Sequence, residues 1–254
     1  MKKLLCMLFI LVLMFNITAC NQEDDGKVTI YIPTQEKVYG TEGKLVDSTN
    51  IVFEDGWEEK EHFIEQRIGT GLNPLTITIT HGDRFQSTQS DIFGTSSETY
   101  YNEEGLIERT VTTYTLPEYA EISKSEIVYT YDGQKRILTQ NTKKILLDGT
   151  VQETNLTYVY QQTADGSKGT ATEDGVVAGE LTYDKNNRRI SMVSYENGVE
   201  AIRIQWSYDN HEKSISSVTI VDGKQIAGSE TTYEAVRVSP ETARRLPQFQ
   251  CGGI

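Results

Sequence analysis

Apolar and polar residues alternate with a period of two along most of this chain, the spacing of a strand that buries one face. Leu75-Thr-Ile-Thr-Ile-Thr80, Val111-Thr-Thr-Tyr-Thr-Leu116 and Ile127-Val-Tyr-Thr-Tyr131 all read this way. The cleanest run is Ile202-Arg-Ile-Gln-Trp-Ser-Tyr208. There Ile202, Ile204, Trp206 and Tyr208 fall on one face, and Arg203, Gln205 and Ser207 on the other. Between such runs stand Asp132-Gly133, Asp148-Gly149, Asp174-Gly175, Asn197-Gly198 and Asp222-Gly223, pairs suited to tight hairpin turns. The one acceptable helical stretch is Trp57–Gln66, and it lacks a clear cap. The pattern predicts an all-β fold: a repetitive antiparallel sheet of successive β-hairpins, with little or no helix beyond the N-terminal segment.

The hairpins repeat. A tyrosine that ends an alternating strand is followed by an acidic or amide residue at Tyr101-Asn102, Tyr131-Asp132, Tyr183-Asp184, Tyr208-Asp209 and Tyr233-Glu234. Tyr160 falls between the second and third of these without the acid, and the last three are 25 residues apart. Each unit reads strand, Tyr-Asp turn, strand, Asx-Gly turn. At about 25 residues it is too short for a four-stranded propeller blade of ~40–45. Aligned tyrosines on neighbouring strands contribute about 0.2–1 kcal/mol per pair, so these residues have a structural role.

In Tyr129-Thr-Tyr131-Asp132-Gly-Gln-Lys-Arg136-Ile137 and Leu181-Thr-Tyr183-Asp184-Lys-Asn-Asn-Arg188-Arg189-Ile190 the chain resembles the YD-repeat (RHS-like) family. Trp206-Ser-Tyr208-Asp209 through Ile215 is a weaker copy. The resemblance implies a coiling, repetitive antiparallel sheet, with Tyr131, Asp132, Tyr183, Asp184, Tyr208, Asp209 and Tyr233 as repeat-motif residues. The chain departs from the family in lacking the turn glycine in the Tyr183 and Tyr208 copies. It also has too few units to enclose a cargo domain.

The N-terminus changes the picture of location. Lys2 and Lys3 precede an apolar run from Leu4 to Phe15, and Ile17-Thr18-Ala19-Cys20 follows. These are the charged, hydrophobic and small-residue regions of an export signal, and the run falls short of the ~20 residues that span a bilayer. With cysteine directly after the small residue, the segment resembles a bacterial lipoprotein lipobox. That resemblance implies cleavage before Cys20, lipid attachment at Cys20, and a protein anchored to the bacterial cell membrane and facing away from the cytoplasm. The expected organisation is a signal peptide at 1–19, a lipidated cysteine and tether at 20–27, and divergent β units at 28–97. A YD-like repeat region at 98–238 and a C-terminal tail at 239–254 complete it.

Charge and chemistry narrow the function. Losing residues 1–19 removes two lysines and no acid, moving the formal charge from −13 to −15, a poor match for nucleic acid, which is bound through Lys and Arg. Cys251 is the one cysteine left beside Cys20, so no intramolecular disulfide is expected in the mature chain. His62, His81 and His211 form no metal-binding spacing, no Gly-x-Ser-x-Gly elbow occurs, and the glycines are scattered among turns. Glu58-Glu59-Lys60-Glu61 reads as a solvated charge run, and Trp206 as core. No cofactor or metal is expected. The expected function is a non-enzymatic, lipid-anchored β protein that binds or scaffolds at the cell envelope, with an envelope protein or glycan as partner. The alternative is an envelope glycan-active enzyme whose carboxylates the sequence does not pair.

Overall fold

The structure, a computed structural model, describes residues 26–70, 76–90, 94–115, 121–210 and 213–246. Among these are sixteen strands joined in sequence order. The first six are β1 (Val28–Tyr39), β2 (Leu45–Phe53), β3 (Phe63–Gly69), β4 (Thr76–Gly82), β5 (Phe85–Ser90) and β6 (Thr95–Tyr101). The next five are β7 (Ile107–Tyr114), β8 (Ile122–Tyr131), β9 (Ile137–Leu146), β10 (Val151–Thr163) and β11 (Gly166–Glu173). The last are β12 (Val176–Asp184), β13 (Arg189–Glu196), β14 (Val199–Tyr208), β15 (Ser214–Val221) and β16 (Lys224–Val238). Every neighbouring pair is antiparallel, and β16 returns to pair with β1 from Val28↔Val238 to Tyr39↔Gly228.

That last pairing corrects the expected open, coiling sheet of YD-repeat kind: the sheet is a closed barrel. Hairpin signals specify only which neighbours pair. Closure is set by two long terminal strands whose unpaired edges would otherwise template association. Residues 28–97 and 98–238 therefore enter one sheet.

The two ends of the barrel use different turns. At one end, here the Tyr-Asx end, lie the connections at 102–106, 132–136, 185–188 and 209–213. At the other, the Asx-Gly end, Asp174-Gly175, Asn197-Gly198 and Asp222-Gly223 each put both residues at positive φ, the type I′ turn whose twist matches its strands.

The Tyr-Asx end is plugged. Trp57 lies in a single 3-10 turn, Trp57–Glu59, and the expected helix through Gln66 gives way to β3. The alternation of buried Phe63 and Glu65 with exposed Ile64 and Gln66 shows why: its period is two. Among the described residues the α-helix lies instead at Pro240–Arg245 (α1), inside the expected C-terminal tail. Ser239 caps it by accepting from the Thr242 amide at 3.0 Å. Thr242 Oγ1 then donates to the Glu58 carbonyl at 2.8 Å. Trp57, Ala243 and Leu246 pack with Ile30, Ile32, Phe63 and Val238 in one buried cluster. Full burial of side chains of this size is worth about 1.5–3 kcal/mol each.

The outer wall is charged. Arg109 pairs with Glu126, Lys143 with Glu153 at 3.3 Å, and Lys168 with Glu180 at 2.8 Å. In register, Glu126 stands opposite Lys143 and Lys143 opposite Glu153. A barrel that crosses a bilayer carries an apolar outer band about 25 Å tall, whereas here ion pairs occupy that surface. No helix among the described residues is long and apolar enough to span a membrane.

Candidate functional site

The tyrosines named from the sequence form the floor of the barrel's interior. Each Tyr-Asx turn is made alike. Asp132 Oδ1 accepts from the amides of Gln134 and Arg136 at 2.9 and 3.0 Å, and Asp184 Oδ1 from Asn186 and Arg188 at 2.9 Å. Asp209 Oδ1 accepts from Lys213 at 2.8 Å, and Asn102 does the same for Glu104 and Leu106. The second carboxylate oxygen takes the cation at the end of the turn: Arg136 on Asp132 and Arg188 on Asp184, both at 2.6 Å.

The next tyrosine round the barrel then reaches back to the strand that leaves the turn. Tyr131 donates to the Ile107 carbonyl, Tyr160 to Ile137, Tyr208 to Arg189 and Tyr233 to Ser214, at 2.6–3.2 Å. The turn cations lie over those rings: Arg136 is 4.2 Å from Tyr160, Arg188 5.0 Å from Tyr208 and Lys213 5.5 Å from Tyr233. Tyr183 differs, packing edge-on against Tyr160 at 5.8 Å. Burial pushes the phenols of Tyr131 and Tyr160 up, and that of Tyr208 up to about 12, so they stay neutral donors. Cys20 and Cys251 lie outside the described residues.

Inside the wall, the half of the barrel built from β1 to β4 is filled. Glu65 and His81 are each 1% exposed, and Glu65 Oε2 lies 2.9 Å from His81 Nε2. Arg67 holds the other Glu65 oxygen at 2.6 Å and stands 3.6 Å from Glu36. Burial alone would raise the Glu65 carboxyl, but Arg67 and His81 overcome it and bring the group to about 2. Glu36 lacks so close a partner, and burial raises it. Phe63 stacks on His81 at 4.6 Å, which closes the cluster against solvent. Sequence spacing gave no sign of this network, because its members come from three strands and join only when the wall curves. Among the described residues no group of three His, Cys, Asp or Glu side chains is arranged to hold a metal ion.

The other half, β7 to β14, encloses a cavity of about 410 Å³, within the ~300–1,000 Å³ of ligand pockets. It is elongated. Both the first and last residues of β7 (Ile107 and Tyr114) and of β8 (Ile122 and Tyr131) line it. That is roughly 23 Å at a strand's rise per residue. Its floor lies at the Tyr-Asx end, where Leu181, Ile137 and Arg189 are buried. There Arg189 lies 4.7 Å from the Trp206 ring, and Asn187 Nδ2 donates to the Gln134 carbonyl, tying two turns that are not neighbours. Toward the Asx-Gly end, Gln140, Thr142, Lys144, Thr154 and Leu156 are half-exposed, which makes that end the mouth. The lining's one acidic residue, Glu180, alternates with inward Gly179 and Leu181 on β12 and so turns its side chain to the outer wall, where Lys168 holds it. Trp206, the inward residue of the best alternating strand, is the feature that the sequence pattern did locate.

No family model matches this sequence, and no curated protein matches it. Among solved structures, a porin-like protein from Bacteroides uniformis is 12% identical with a TM-score of 0.42, over 81% of this chain and 96% of that one. A second porin-like protein, from Bacteroides vulgatus, is 12% identical with a TM-score of 0.34, over 80% and 98%. A domain from Vibrio parahaemolyticus described as outer membrane lipoprotein-sorting is 8% identical with a TM-score of 0.33, over 87% and 91%. Likenesses this distant assign no family and no function.

Proposed function

We propose that this is a lipid-anchored, non-enzymatic protein of a bacterial cell envelope, and that its lumen, not an open sheet face, is where it binds. The observation that carries this reading is the long cavity between β7 and β14, closed at the Tyr-Asx end and open at the other. The tether supports the arrangement: β1 begins at the closed end, so an acylated Cys20 holds that end to the membrane and the mouth faces away. The paired charges of the outer wall favour a barrel standing in water above the lipid. A glycan-cleaving site needs two carboxylates flanking the bond to be broken. The cavity offers no such pair: Glu180 of its wall faces outward onto Lys168, and Glu36 and Glu65 are buried apart from it.

Two measurements test the reading. Cys20→Ser should move the protein from the membrane fraction to the soluble fraction; retention in the membrane overturns the anchor. Native mass spectrometry of the barrel released from cells should show a bound small molecule. That mass should vanish when Thr154→Trp, on the inner face of β10, fills the cavity without loss of the β-sheet circular dichroism. A bound mass indifferent to Thr154→Trp overturns the lumen as the site.

A further inference from the structure

The lumen's shape and charge go further than its existence. Its walls are apolar and aromatic for most of their length: Ile127, Tyr129, Leu156, Tyr158, Met192 and Trp206 all line it. A cavity that follows two strands from end to end while holding about 410 Å³ is narrow for its length. Chains fit such a space better than discs or globules.

Of the charged residues along the lining, Arg189 lies at the floor and Lys144 toward the mouth. Lys144 lines the cavity two residues from the end of β9 and makes no ion pair among the described residues. Its neighbour Lys143 does, with Glu153 on the outer wall. Ser125 stands opposite Lys144 in register, and Thr142 shares its face, so two hydroxyls accompany the ammonium. Glu180, the lining's one acidic residue, turns outward to Lys168. An anion seated at Lys144 stays partly hydrated at the mouth, which avoids the large cost of burying a charge in the apolar interior.

The rim is apolar as well. Leu147 and Val151 flank the β9–β10 turn, Val176 follows the β11–β12 turn and Val199 the β13–β14 turn. These side chains are exposed by 49–69%. They stand on successive hairpins at the Asx-Gly end. Aliphatic side chains in water beside a cavity entrance suit a ligand that is itself apolar as it enters.

Resting on the reading of the lumen as the binding site, we propose that the channel holds a single-chain amphiphilic anion. The chain threads between β7 and β14 toward Trp206, and the acidic group sits at Lys144 beside Ser125 and Thr142.

The test uses residues 20–254 with Cys20→Ala, since the barrel closes within residues 28–238 and an unacylated chain needs no detergent to compete for the site. The probe is a fluorescent C18 polyene fatty acid, with palmitate, octanoate and hexadecanol as competitors. Saturable one-to-one binding is expected. Palmitate should compete, octanoate should be at least about tenfold weaker, and hexadecanol about five- to tenfold weaker than palmitate. Lys144→Met should erase most of the gap between acid and alcohol, whereas Lys143→Met on the outer wall should leave it intact. Thr154→Trp, folded by circular dichroism, should abolish binding.

Affinity independent of chain length overturns the threaded chain, and equal binding of acid and alcohol with no effect of Lys144→Met overturns the headgroup site. If the folded barrel binds no fatty acid yet carries a compound that Thr154→Trp expels, the amphiphile is wrong and the lumen reading stands. If it binds nothing in either assay, both fail together.

Discussion

Arg136 and Tyr160 join consecutive hairpins in two ways at once. The guanidinium lies 4.2 Å from the centroid of the tyrosine ring, and the tyrosine hydroxyl donates 2.8 Å away to the carbonyl of Ile137, the residue after the arginine. The ring has room to do this because it lies over Gly169, its partner in the β10–β11 register. A Cβ built there would sit 2.3 Å from Tyr160 Cε1. Gly169→Ala should therefore displace the ring and cost about 1–3 kcal/mol. Tyr160→Phe should cost only about 1 kcal/mol, the worth of one hydrogen bond. Urea unfolding measures both, and equal losses would show that the hydroxyl, not the seat of the ring, matters.

Lys135 occupies a left-handed backbone position, φ 64°, where the equivalent turn residue Gly105 sits at φ 79°. A non-glycine residue there carries roughly 1–2 kcal/mol of strain, and glycine returns part of the gain as chain entropy. Lys135→Gly should stabilise the barrel by up to about 1 kcal/mol, or roughly 2–4 °C in Tm. A lower Tm by scanning calorimetry would show that the lysine makes a contact worth more than its strain.

Glu65 sits well below its ordinary 4.5, at about 2, so it contributes stability that is complete above about 4.5 and drains away as pH falls toward 2. Glu65→Gln leaves Arg67 and His81 buried without their carboxylate. It should cost about 3–5 kcal/mol at pH 7 and flatten the acid limb of the stability–pH curve. An unchanged acid limb in urea titrations from pH 2 to 7 would place the acid sensitivity elsewhere.

Glu36 has the opposite sign. Burial raises its carboxyl, with Arg67 opposing and Glu65 adding. The protonated form is the one the fold favours, so its contribution is present below 4.5 and is lost as pH rises through the folded value. Glu36→Gln, which stays neutral, should melt a few degrees above the parent at pH 7–8 and level with it near pH 4, about 2–4 °C per kcal/mol. A variant less stable at every pH would show that Arg67 depends on the Glu36 charge.

The local chemistry of the barrel is written plainly in the chain, and its closure is not. Alternation places Ile204 and Trp206 inside, and the Asx-Gly pairs mark three of the type I′ turns at their true positions. Both are properties of a few consecutive residues. The charge run beside Trp57 drew a helical reading because carboxylates and lysines fit a helix surface, yet tertiary packing of Trp57 and Phe63 fixes a short turn and a strand. The real helix had a legible start in Ser239-Pro240-Glu241, with Arg244 and Arg245 at its end, the cap and charge order that a helix favours. Its short length hid it. The Glu36–Arg67–Glu65–His81 network and the cavity left no local mark, because each depends on residues brought together by curvature across several strands.

The β1–β16 seam joins residues about two hundred positions apart. Until the last strand is available, β1 and whichever strand was made last both present open hydrogen-bonding edges, and the pairing that closes the longest loop is the meeting of β1 with β16. A chain that emerges from its N-terminus onward cannot complete this step until β16 is available. Its assembly is thus timed by its own C-terminus: a chain cut short before residue 224 gains no partial barrel, only two unprotected edges and a strong tendency to join its neighbours.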